Sequence, residues 1–146
     1  MVHTEFIRYH IDQHRIDAFI KYIRKYCKKC NIKLKFRSGA SVYTDEGEQT
    51  DGFFNEPERG FAGQIVIAKG VSQKEWLITL GHEFAHVKQW IEDAGVYMDK
   101  DVYEAEKDAE RQSRKMMKDF GLPIDPGWHI KESKKYLRWL KTTLKK

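Results

Sequence analysis

Several features are scarce in this chain, and each scarcity excludes something. No window approaches the roughly 20 consecutive apolar residues that span a bilayer, and Met1 to His14 is polar with no apolar leader core. The reading is therefore a cytoplasmic protein with no membrane partner. Two cysteines in 146 residues make no disulfide framework. Cys27-Lys28-Lys29-Cys30 has CxxC spacing, but a zinc knuckle needs a second ligand pair, and a redox pair normally opens a helix instead of ending one. Both cysteines continue an apolar stripe, so they read as small buried hydrophobes. Internal repeats, low-complexity segments and interdomain linkers are all missing. An apolar fraction of 40% with 13% aromatics argues against disorder. One domain over residues 1–146 is the expectation.

The net charge of +5 is unevenly placed. His129 to Lys146 holds seven Lys/Arg against one Glu, which leaves 20 basic and 21 acidic residues in the rest. The basic excess belongs to a C-terminal helix over 130–146. Lys131 to Lys146 offers a route to nucleic acid or to an acidic partner, although a solvated helix face is the preferred reading.

Apolar residues Ile16, Phe19, Ile20, Ile23, Cys27 and Cys30 recur at helical spacing from Asp12 to about Asn31, with Asp12 as N-cap. Ile32, Leu34 and Phe36 alternate with basic residues, the pattern of a half-buried strand. Val42-Tyr43 reads as a short strand and Gly63 to Ala68 as the strongest one. Together they predict an α+β fold. A twisted, mostly antiparallel sheet of three or four strands packs on the first helix, occupying 12–70. Helices over 72–120 follow. Ser72 and Glu75 form an S-x-x-E capping box at the start of a helix running to about Asp93. On that helix Trp76, Leu77, Leu80, Phe84, Val87 and Ile91 make the apolar face. The next helix, opened by Asp99 or Asp101 and ending near Phe120, turns Val102, Ala105, Ala109, Ser113, Met116 and Phe120 inward.

The chemistry lies in Gly81-His82-Glu83-Phe84-Ala85-His86, an HExxH motif. Two histidines four residues apart project from one helix face, one turn above the other, and can grip one zinc ion. They fall away from the apolar face, near Thr79, Glu83 and Trp90, so something must lie across from them. Glu83 is placed to act as general base on a zinc-held water. Catalytic zinc takes three protein ligands, and the carboxylate-dense stretch Tyr103 to Glu110 is the source for the third. Glu106 lies beside Ala109 and Ser113, whose small side chains let two helices approach, and is the choice. Glu104 is the fallback and His129 the main rival. Glu110 or Asp108 could accept a hydrogen bond from the outer nitrogen of a ligating histidine. Tyr97, Tyr103 and His129 are candidate oxyanion donors.

His82-Glu83-x-x-His86 followed by a glutamate on the next helix resembles the gluzincin metallopeptidases, and in particular small phage and bacterial domains of the ImmA/IrrE type. Those follow HExxH with a helix of the form E-x-E-A-(N/D)-x-x-(A/G), which Glu106-Lys107-Asp108-Ala109-Glu110-Arg111-Gln112-Ser113 matches loosely. Asp replaces the second Glu, Glu replaces Asn/Asp and Ser replaces the small apolar residue. The resemblance covers roughly Gly63 to Met117. It implies a zincin-like fold, one zinc per chain held by His82, His86 and Glu106, support of a ligating histidine by Glu110, and hydrolysis of an intracellular protein or peptide. A histidine as third ligand would point instead to the SprT-like proteases. In related folds the substrate adds to a sheet edge, expected here at Gln64, Ile65, Val66 and Ile67. The rival functional reading is a zinc-containing DNA- or protein-binding module without catalysis, working through the basic C-terminal helix.

Overall fold

The computed structural model describes residues 12–92 and 102–122, together with Arg138 and Thr142. The expected helix over 130–146 lies outside the described residues except for these last two positions, which are helical and exposed.

Helix α1 (Gln13–Lys29) starts where Asp12 Oδ1 accepts the His14 N–H at 2.8 Å, satisfying an amide with no partner inside the helix. Its stripe of Ile16, Phe19, Ile23 and Cys27 is buried, as the periodicity requires. Strands β1 (Ile32–Arg37), β2 (Val42–Tyr43), β3 (Gln49–Thr50), β4 (Gly52–Asn55) and β5 (Gly63–Ala68) follow. Helices α2 (Gln73–Glu92) and α3 (Val102–Asp119) complete the described chain. The class is α+β. No helix among the described residues is long and apolar enough to cross a membrane.

The main sheet is mixed, in the order β1-β5-β4. β1 runs parallel to β5, with Leu34 opposite Ile65, whereas β4 is antiparallel to β5, with Phe54 opposite Ile65. β2 and β3 pair separately as an antiparallel ribbon. This order corrects one expectation. β5 is the central strand, hydrogen-bonded on both sides, so Gln64 to Ile67 cannot be the edge that receives a further strand. The sequence carried the reason: Ile65 to Ala68 is a continuous apolar run, and such runs belong to strands covered on both faces. Ile65 and Ile67 enter the main core with α1 and α2, while Val66 and Ala68 pack with Val42 and Phe53 on the other face.

Phe19, Ile23, Leu77, Leu80, Phe84 and Val87 fill the space between α1, α2 and the sheet. Ile91, assigned to the apolar face of α2, is instead exposed at 44%. It is the penultimate residue of α2. Ala105, Ala109, Ser113 and Met116 turn inward on α3 as expected, and Phe120 packs against the core edge.

A candidate metal centre between two helices

Two local devices place the histidines. Ser72 Oγ accepts the Glu75 N–H at 3.2 Å and donates to Glu75 Oε1 at 2.9 Å, so the capping box fixes where α2 begins. Gly81, immediately before His82, then lets α3 come close. A Cβ at position 81 would stand 2.6 Å from Ser113 Oγ and 2.8 Å from Met117 Cε. A second close approach holds β4 against α2, where a Cβ at Gly52 would meet Thr79 Cγ2 at 2.7 Å. Further along, Phe54 meets the Trp90 ring edge-on at 6.2 Å. Between those two contacts α2 carries Glu83 and His86, so the edge strand lies beside the motif.

Across from the histidines stands Glu106. Its carboxylate reaches both rings, with Oε2 at 2.6 Å from His82 Nε2 and Oε1 at 3.1 Å from His86 Nε2. The two Nε2 atoms are 3.2 Å apart. His82, His86 and Glu106 are the one group of at least three His, Cys, Asp or Glu residues among the described residues whose donor atoms all lie within 4.8 Å of one another. Donors bonded to a tetrahedral zinc at 2.0–2.1 Å stand ~3.3 Å from each other. The separation of the two Nε2 atoms is close to that edge length, and the donor set, two imidazoles and a carboxylate, is one zinc uses. The residues fit the ion. Glu104 is exposed and outside the group. His129 and Tyr97 lie outside the described residues, and Tyr103 is half-buried on α3.

The outer nitrogens are also held. Glu110 Oε1 stands 2.5 Å from His82 Nδ1, the role that the sequence left open to Glu110 or Asp108. Asp108 touches neither ring. It is a step removed, accepting from Gln89 Nε2 at 2.8 Å, from Gln112 Nε2 at 2.7 Å and from the Arg111 guanidinium. The residue that meets His86 Nδ1 is Gln89, whose Oε1 is 2.9 Å away. Sequence reading passed Gln89 over. Its signal was position: a glutamine three residues after the second histidine lies on the same helix face, and here it is fully buried.

Charge and burial pull in opposite directions at this cluster. Burial alone would lower both histidine pKa values, but the hydrogen bonds they donate to Glu106, joined at His82 by Glu110, outweigh it and raise them, His82 strongly. Burial would likewise raise Glu106, yet its bonds to His82 and His86 hold its carboxyl down at about 2. Glu83 is half-buried. Burial pushes its carboxyl above the usual range, against the pull of the two histidines.

No protein-family model, curated protein or solved structure matches the chain. The functional reading therefore stands on the chemistry of these residues.

Proposed function

We propose that the chain is a zinc-dependent metallopeptidase, with His82, His86 and Glu106 as ligands and Glu83 as general base. The observation that carries this reading is the convergence of two Nε2 atoms and one carboxylate, supplied by two packed helices, next to a half-buried glutamate. The resemblance of the motif pair to ImmA/IrrE-type domains, and with it a zincin-like fold, points the same way.

When bound, zinc supplies Lewis acidity, making water acidic enough to lose a proton near neutral pH and polarising a carbonyl. Glu83 takes that proton on its carboxylate and delivers it to the leaving amine. A carboxyl raised by burial suits both halves of this exchange, because general catalysis is most effective when the group's pKa approaches the working pH. His82 and His86 present their Nε2 lone pairs from one face of α2, and Glu106 closes the third corner from α3. With β5 paired on both sides, β4 is the edge nearest the motif, and an extended peptide would lie along Gly52–Asn55 as an added strand.

The test compares the zinc-loaded chain with its Glu83→Gln variant on a degenerate peptide library read by mass spectrometry. Cleavage by the native chain and none by E83Q, at equal zinc content, is the expected result. Cleavage that survives in E83Q would sink the assignment of the base. A chain that holds one zinc and cleaves nothing would shift the reading to the non-catalytic module.

A further inference from the structure

Gln89 makes three hydrogen bonds, and their directions are determined by their partners. Its Nε2 faces the Ala105 carbonyl oxygen at 2.9 Å and Asp108 Oδ2 at 2.8 Å. Both are acceptors, so this end of the side chain must be the NH2 group. The opposite end is then the carbonyl oxygen, and that is the atom 2.9 Å from His86 Nδ1. An oxygen can only accept, so Nδ1 must carry a proton. In the neutral ring, the form that binds metal, the His86 lone pair is then left on Nε2, the nitrogen that faces Glu106 and His82.

We propose that Gln89 is a positioning residue that selects the metal-binding tautomer of His86 and sets the depth at which Glu106 meets it. The second role follows from the bond to Ala105, the residue before Glu106 on α3. One side chain on α2 thereby fixes both a ligand of its own helix and the turn that carries the ligand opposite. Asp108 is the anchor of the arrangement: its Oδ2 accepts from Gln112 as well as from Gln89, and its Oδ1 accepts from the Arg111 guanidinium. A glutamine can do this work because it presents a donor and an acceptor at once, whereas a carboxylate in its place would face Asp108 and the Ala105 carbonyl with no proton to give. The inference rests on the zinc reading above and adds a residue to it.

The test uses the full chain loaded with zinc. Long-range proton–nitrogen correlation spectra of the native protein should show His86 protonated at Nδ1, with a slowly exchanging low-field proton, and metal-bound at Nε2. Zinc affinity, measured by competition with a chromophoric chelator, should fall tenfold or more in Gln89→Met, within the range typical for loss of a ligand's supporting partner. The low-field proton should be lost with it. The double variant Q89E/D108N reverses the donor and acceptor between positions 89 and 108 while keeping an oxygen toward His86. It should restore the proton signal but recover only part of the affinity, since the oxygen toward His86 is regained while the Ala105 carbonyl faces a carboxylate with no proton to give. Native affinity in Q89M, or zinc on His86 Nδ1 in the native protein, would overturn the proposal while leaving the zinc site standing. A native chain that binds no zinc overturns both. Should Q89M fail to fold, the native spectrum decides alone.

Discussion

Glu110 Oε1 stands 2.5 Å from His82 Nδ1, on the side of the ring away from Glu106. His82 is thus bridged between two carboxylates of α3 one turn apart, which fixes the ring plane as well as its position. Replacing Glu110 with Ala should weaken zinc binding by roughly 10–100-fold, while Gln, which keeps an acceptor oxygen, should cost less. Chelator competition on both variants measures this, and equal affinity in E110A and the native chain would show that the contact does not support the ligand.

A metal held by His82, His86 and Glu106 would compete there with protons. Raised pKa values for His82 and His86 mean that the metal-free cluster holds protons near neutral pH, where free histidine is losing them. Zinc needs the neutral rings, so binding must expel protons, and affinity must fall as pH falls. Calorimetry in buffers of different ionisation enthalpy should report release of more than one proton per zinc near pH 7. Heats that do not depend on the buffer would contradict the protonated resting state.

Ser113 is fully buried against Gly81, and its Oγ has no hydrogen-bond partner among the described residues. A buried hydroxyl left unpaired costs free energy that a methyl group does not. Ser113→Ala should therefore stabilise the chain by about 1 kcal/mol, raising the thermal midpoint by a few degrees. A lower midpoint would mean that the hydroxyl is satisfied in solution.

Burial, reinforced by the neighbouring Cys30, pushes the Cys27 thiol up to about 12. At pH 8 only roughly 1 part in 10,000 would be thiolate, the reactive form. Titration with an aromatic disulfide reagent should find Cys27 silent in the native chain and reactive once the chain is unfolded. Rapid reaction of both cysteines in the native state would contradict its place in the core.

Legibility in the sequence followed the range of the interaction. The capping box, the α1 stripe and the alternation of β1 are set by residues within a few positions of one another, and each stands where the pattern placed it. Glu106 was within reach because the small residues Ala109 and Ser113 marked the side of α3 that faces α2. Strand order was less accessible: that β5 lies between a parallel and an antiparallel neighbour depends on β1 and β4 folding onto it from far along the chain. Its apolar run could have warned against an edge. Gln89 stands at a local spacing from His86, but its anchoring partners, Ala105 and Asp108, come from another helix. No spacing rule within α2 reveals a bond across to α3.

The central place of β5 also has a consequence for how the molecule opens. A strand paired on both sides and covered on both faces should release its amides to solvent only when the whole domain unfolds, whereas the two-residue strands β2 and β3 should exchange early. Helix α2 follows β5 directly and packs on the same core, so His82 and His86 are mounted on the most persistent part of the domain. Glu106 arrives on α3, which packs chiefly on α2. Loss of metal should thus loosen one corner of the site first and leave the two histidines where the sheet holds them.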